Sequence, residues 1–285
     1  MLEYFDAICR LVVGRDREIR QILATLAAER NLILEGAPGT TKSTILRALT
    51  AVAGLPFYVV EGSVDLTPSK LVGHFNPARV MADDYKPEYF EPGPLTRAMG
   101  GGILYIEEFN RMPADTSNVL ITAVEEGDLN IPRYGRVEAQ DGFHVVCAQN
   151  PYDDVGTVRI SRAVYDRFCR VQLDYQSEAE EREIVREKTG VTDRSLLYIA
   201  VRVARETRQH AEIKQGASVR GAMDMVAIAE QLRDLEGQSF REMLDSAMLV
   251  AMSGKVWLQE TTERTPERIL KDILESVLRQ EDLAQ

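Results

Sequence analysis

The chain has 285 residues, of which 45% are hydrophobic and 28% charged, the balance of a globular protein with one large domain or two modest ones. Its formal net charge of -11 argues against a broad nucleic-acid-binding surface, which needs excess basic charge to displace counterions from phosphates. Cys9, Cys147 and Cys169 form no C-x-x-C pair, and His74, His144 and His210 lack metal-ligand spacing, so neither a disulfide framework nor a zinc site is expected. No apolar run reaches the ~18 residues of a membrane helix. The opening MLEYFDAICR carries acids and lacks a signal-peptide core, so a cytoplasmic location without membrane association is expected.

Strand and helix patterns alternate as far as residue 190. Residues 31–35 (NLILE) read as a buried strand running into a Gly-rich turn, and a helix follows from Lys42 to about Val52. A second strand is expected at 56–60, then a helix with Thr67 as N-cap and Pro68 in its first turn. Residues 74–93, with aromatics and prolines but no clean period, read as an insertion with its own hairpin. A short helix (GPLTRAM) and a buried strand (GILYIEE) come next. Residues 113–126 read as a helix stopped by Gly127, and 129–139 alternate around Tyr134-Gly135 as a hairpin. Strands at 143–148 and 168–173 follow, the latter after a short helix. Ser177 and Glu180 form a capping box. Beyond Val191 only helical stripes appear, at 193–211, 218–235, 239–252 and 266–279. The expected organisation is an α/β domain at 1–190, with a five-stranded parallel sheet and helices on both faces, and a small all-α domain at 191–285.

Five signals carry chemistry. Gly36-Ala37-Pro38-Gly39-Thr40-Thr41-Lys42-Ser43 lies between a strand and a helix, the context of a phosphate-binding loop. Its backbone N–H groups would surround a β-phosphate, Lys42 would reach the β/γ oxygens and Ser43 would ligate Mg2+. Thr41 stands where that pattern usually has glycine, so a Cβ must fit beside the phosphates. Next, Ile103–Glu108 is an apolar strand ending in two acids. Glu107, in place of the usual aspartate, would hold Mg2+, and Glu108 would polarise the attacking water. Asn150, after the 143–148 strand, would orient water near the γ-phosphate, since ligands gather at the carboxyl ends of parallel strands.

The two arginine signals are more evenly balanced. The stretch Ser161–Phe168 offers a guanidinium either to a neighbouring subunit's γ-phosphate or to a surface pair with Asp166. Ser218 reads as an N-cap ahead of Arg220, and Arg220 reads either as a γ-phosphate sensor or as a solvated helix arginine.

In this order, Val13-Gly14-Arg15, GAPGTTKS, ILYIEEFNRMP, AQNP, YDRF and GASVRG resemble the MoxR family of AAA+ ATPases, over almost the whole chain. They are also similar to magnesium-chelatase ATPase subunits and to activator ATPases of Rubisco and nitric-oxide reductase. The resemblance implies the P-loop NTPase fold, with ATP and Mg2+ bound by Gly36, Ala37, Pro38, Gly39, Thr40, Thr41, Lys42, Ser43 and Thr44. Val13 and Gly14 would lie near the adenine, with Asn150 as sensor 1, Arg167 as arginine finger and Arg220 as sensor 2. Residues 74–93 would be the helix-2 insertion and 129–139 the hairpin before sensor 1. The resemblance further implies a homo-oligomeric ring, commonly a hexamer, a von Willebrand factor A domain partner and a protein client.

The function expected is therefore an ATPase that remodels or matures a protein. A nucleic-acid motor, with Arg133 and Arg136 on phosphates, is the alternative from another class. A weakly hydrolysing, nucleotide-gated scaffold is a third, motivated by Thr41 and Glu107.

Overall fold

The computed structural model describes residues 2–151, 162–233 and 239–282. Two compact units emerge: the stretch up to Ala37 with Thr41–Asp174, and Pro38–Thr40 with the stretch from Tyr175 onward. Ser161 and residues 234 and 235, part of the elements expected above, lie outside the described residues.

The first unit contains nine strands among its described residues: β1 (Asn31–Glu35), β2 (Phe57–Glu61), β3 (Gly73–Phe75), β4 (Phe90–Pro92), β5 (Ile103–Glu107), β6 (Asp128–Ile131), β7 (Gly135–Glu138), β8 (His144–Gln149) and β9 (Phe168–Gln172). Five of them form a parallel sheet in the order β2-β5-β8-β1-β9. β1 pairs on both sides, which is why NLILE reads as a continuous apolar run rather than an alternating one.

Side chains alternate across the sheet. Leu32, Leu34, Ile103, Tyr105 and Val146 pack against Ile19 and Ile22 of the helix Asp16–Ala27 and against Ile45, Leu46 and Leu49 of the helix Lys42–Ala53. Ile33, Leu104, Ile106, Val145 and Cys147 face the opposite layer, built on Leu95, Met99, Leu120 and Ala123. Burial on both faces is the expected α/β architecture.

The insertion is a small domain element in its own right. β3 and β4 pair antiparallel, enclosing a helix, Pro77–Asp83, capped by Asn76. β6 and β7 form the second hairpin, turning through Arg133 and Gly135 in left-handed conformations. The two excursions touch: the Phe90 and Tyr134 rings lie 4.3 Å apart, and the Arg133 guanidinium lies 3.8 Å over the Tyr85 ring.

The second unit is built on helices Glu178–Thr189, Arg194–Gln209, Val219–Arg233, Phe240–Met252 and Pro266–Asp282. The helical reading holds with one addition, an antiparallel ribbon of β10 (Ile213–Gln215) and β11 (Trp257–Leu258). The division falls after Asp174, not near 190. The helix Glu178–Thr189 follows a strand in sequence, yet its buried Glu181 pairs with Arg205 at 3.2 Å and Arg208 at 2.6 Å on the next helix. A buried carboxylate is held where its cations are, so this helix goes with the second unit.

Candidate functional site

The loop after β1 has the strand–loop–helix context its sequence predicts. Lys42 opens the helix Lys42–Ala53, and its Nζ donates to the Gly36 carbonyl at 2.6 Å and the Ala37 carbonyl at 3.0 Å. The cation is thus held over the loop's own oxygens. Ser43, the expected Mg2+ ligand, is half-buried one residue on, and Thr44 is exposed. Gly39 groups with the second unit and has φ +79°. A Cβ there would come within 2.9 Å of the Ser218 side chain, so this position requires glycine.

Thr41 adopts φ +64° and ψ +16°, the left-handed conformation usually left to glycine. That conformation costs an L-residue roughly 1–2 kcal/mol. The Thr41 hydroxyl accepts a hydrogen bond from Arg15 Nε at 3.0 Å. Arg15, only 3% exposed, also donates to the Asp174 carbonyl at 2.6 Å and pairs with Glu18 at 3.2 Å. Val13 and Gly14, the residues expected near adenine, immediately precede it and are half-buried. The sequence names Arg15 only as part of the Val13-Gly14-Arg15 stretch and gives it no role of its own.

Below the loop, Glu35 ends β1 with 5% exposure and gathers three partners. Gln149 Nε2 donates to it at 2.6 Å, the Tyr165 hydroxyl at 3.1 Å and Arg170 Nη1 at 3.0 Å. Gln149 also donates to the Tyr165 hydroxyl at 2.9 Å. Burial raises the Tyr165 pKa, countered by the Gln149 hydrogen bond, so the hydroxyl remains a donor to Glu35 at neutral pH. This network joins the strand that carries the loop to the short helix Arg162–Tyr165 before Arg167.

Glu107 ends β5 two residues after Tyr105, so the period-2 alternation of a strand puts it on the face covered by the helix Lys42–Ala53. The Tyr105 phenol lies on the same face as the Glu107 carboxylate. Burial, together with that carboxylate, pushes the Tyr105 pKa well up and keeps the phenol protonated. Glu108 then turns sharply, with φ +49°. Its Oε2 is shielded from solvent, 3.5 Å from Arg111 Nε, and accepts no hydrogen bond among the described residues. A left-handed acid whose oxygen is ion-paired but not hydrogen-bonded suits a group that engages a ligand.

Two further residues complete this edge. Gly62 N–H donates to the Glu107 carbonyl at 2.7 Å, and a Cβ on Gly62 would lie 2.4 Å from the Glu108 carbonyl oxygen. Asn110 donates from Nδ2 to the Asn150 carbonyl at 3.4 Å, bringing the expected sensor to the turn that follows Glu108. Both were invisible in sequence, since a lone glycine or asparagine carries no pattern.

The two arginines lie apart from this edge in sequence. Arg167 pairs with Glu125 rather than with Asp166, the partner its neighbourhood suggested. Arg220 is exposed on the second unit, the second residue of the helix Val219–Arg233, and its N–H donates to Ser218 Oγ at 3.3 Å. The stretch before that helix is fixed within the second unit: Arg208 Nε donates to the Ala217 carbonyl at 2.7 Å, and the Ala217 N–H donates to Thr207 at 2.9 Å.

Residues 31–168 match the AAA domain of the dynein-related subfamily. YeaC of Bacillus subtilis is 29% identical over 254 residues, spanning 79% of this chain and 76% of its own. The chaperone MoxR1 of Mycobacterium tuberculosis is 26% identical, over 81% of this chain and 68% of its own. A solved structure from Cytophaga hutchinsonii aligns with a TM-score of 0.56 at 20% identity, covering 96% of this chain and 92% of that one. The Thermotoga maritima RuvB Holliday junction branch migration motor aligns with a TM-score of 0.54 at 17% identity, covering 84% and 70%. At those identities the two structures speak to the fold alone.

Proposed function

We propose that this chain, whose residues 31–168 match an AAA domain and which is similar to the chaperone MoxR1, is an AAA+ protein of the MoxR type that binds and hydrolyses ATP and uses the cycle to remodel or mature a protein client. The observation that carries the reading is a strand–loop–helix that holds Lys42 over the Gly36 and Ala37 carbonyls, in a chain whose β5 ends in two acids, Glu107 and Glu108. ATP would replace those carbonyls as the partner of Lys42, whose charge is then spent on β/γ oxygens. Glu108 would take up and orient the attacking water, and Asn150, tethered through Asn110, would steady it. Ser43 and Glu107 supply the hard oxygen donors that suit Mg2+, which when bound offsets charge on the phosphates. Among the described residues no cluster of three His, Cys, Asp or Glu side chains could hold an ion alone, so Mg2+ would come with the nucleotide.

A protein client is favoured over nucleic acid by the state of the hairpin arginines. Arg136 is paired with Asp128 at 2.5 Å and Glu138 at 3.4 Å, and Arg133 lies over Tyr85. A phosphate would have to compete with these contacts. In the sequence, the aromatics of the insertion, Phe75, Tyr85, Tyr89 and Phe90, are the candidate contact surface for that client. Phe90 is buried and Phe75 packs on it at 5.4 Å, so those rings hold the insertion together rather than reaching a partner. Met81, 89% exposed, with Tyr85 and Tyr134 forms the outward part.

The full assembly in this reading is a ring, commonly of six subunits, in which Arg167 serves a neighbour's site. A von Willebrand factor A domain protein delivers the client. The test measures ATP turnover against added single- and double-stranded DNA, RNA and a co-encoded von Willebrand factor A protein. Stimulation by that protein, reduced by Met81→Ser with Tyr85→Ser, supports the reading. Strong stimulation by nucleic acid that fades steeply with salt overturns it.

A further inference from the structure

Thr41 brings a branched side chain to a backbone position that glycine usually fills, and the structure shows what accompanies it. Its hydroxyl is bonded to a buried arginine that itself reaches two other segments, Glu18 in the next helix and the carbonyl of Asp174 after β9. A buried guanidinium is always charged and must be fully engaged, and its planar fork fixes directions as well as distances. At position 41 the Thr hydroxyl is the acceptor for Arg15 Nε. Valine would keep the branch and lose the bond, serine would keep the bond without the branch, and glycine would need neither.

We infer that Arg15 is a positioning residue for nucleotide binding, which holds Thr41 in the left-handed turn that leads into Lys42. It replaces the conformational freedom of glycine with a side-chain tether. The inference rests on the ATP-binding reading above. The same guanidinium follows directly on Val13 and Gly14, so one buried side chain ties the segment expected at the base to the loop expected at the phosphates. Held in this way, the loop is ordered before the nucleotide arrives, and less affinity is spent on ordering it.

The experiment is calorimetric titration of the full chain with Mg-ATP, for Thr41→Val, Thr41→Ser, Thr41→Gly, Arg15→Met and the double variant Thr41→Gly/Arg15→Met. Loss of a hydrogen bond to a charged group predicts a Kd about tenfold higher or more for Thr41→Val and for Arg15→Met. Thr41→Ser recovers most of that loss. Arg15→Met costs much less when position 41 is already glycine, because the tether then has nothing to hold. A general folding fault would lower the binding stoichiometry and the melting midpoint instead of the affinity of the folded fraction. Equal cost of Arg15→Met in both backgrounds, or wild-type affinity in Thr41→Val, overturns the inference. If Arg15→Met does not fold, the ratio of Kd between Thr41→Val and Thr41→Ser decides, and a ratio near one contradicts the tether. Failure of the ATP reading itself is distinct: the wild-type chain then binds no nucleotide.

Discussion

Arg167 and Glu125 form a two-armed ion pair, Nε to Oε2 and Nη2 to Oε1, each at 2.8 Å, while Arg167 Nη1 donates to the Ala163 carbonyl at 2.8 Å. Every arm of the guanidinium is therefore engaged within the subunit. Serving a neighbour's phosphate requires this pair to open, so the two partners have unequal effects. Arg167→Ala is expected to lower turnover about 1,000-fold, the range of a missing arginine finger, with ATP binding intact. Glu125→Ala is expected to keep turnover. Steady-state phosphate release on both variants checks this, and equal losses would mean that the pair is only structural. Mixing Arg167→Ala with Glu108→Gln subunits should restore part of the activity if the finger acts in trans, and no recovery at any ratio counts against it.

Lys42→Ala is expected to weaken ATP binding by about 10–100-fold, the scale of a hydrogen-bonded charge. Two of the residue's bonds run to the Gly36 and Ala37 carbonyls, both in the loop. Calorimetry at physiological salt reads the loss. Unchanged affinity would remove the phosphate-loop assignment.

Gly62→Ala is expected to destabilise the first unit by about 1–3 kcal/mol, the usual penalty for overpacking. The added Cβ would sit 2.4 Å from the Glu108 carbonyl oxygen and 2.9 Å from that of Glu107, both backbone atoms that cannot swing aside. Because those carbonyls belong to the paired acids, turnover should fall along with the melting midpoint. A variant with wild-type midpoint and rate would contradict the close approach.

His144 opens β8 half-buried, and desolvation lowers its pKa below the ordinary histidine value, with Glu29 opposing the shift. The folded state thus favours the neutral ring. The stabilising contribution is present above about pH 6.5 and is lost as pH falls through the lowered folded value, because the unfolded chain takes up the proton first. His144→Gln should flatten the fall in melting midpoint below about pH 6.5. Parallel curves for variant and wild type would show that His144 does not carry it.

Much of this was legible because several local signals agreed at each element. The strand NLILE, the Gly-rich turn and the helix from Lys42 specify one another, and the Ser177–Glu180 capping box appears with both of its bonds. The β10–β11 ribbon was not legible: strands of three and two residues have no period to detect. The strand after Leu55 begins at Phe57 rather than Pro56, which carries no N–H for a ladder. The helix after β9 was placed in the wrong unit because chain order was the only guide, whereas the buried pairing of Glu181 with Arg205 and Arg208 decides it. Arg15, Gly62 and Asn110 acquire meaning only through contacts distant in sequence, at Thr41, Glu108 and Asn150.

The central claim is that this chain turns over ATP with Glu108 as the residue that activates water. The direct measurement is single-turnover phosphate release from Mg-ATP by the wild type and by Glu108→Gln, with binding titrated in parallel. Loss of a general base predicts unchanged binding and a rate about 100–10,000-fold lower for the variant, since the amide keeps the shape of the carboxylate but cannot accept the proton. A wild-type rate in Glu108→Gln would contradict the account, as would a wild-type chain that binds ATP and releases no phosphate above background.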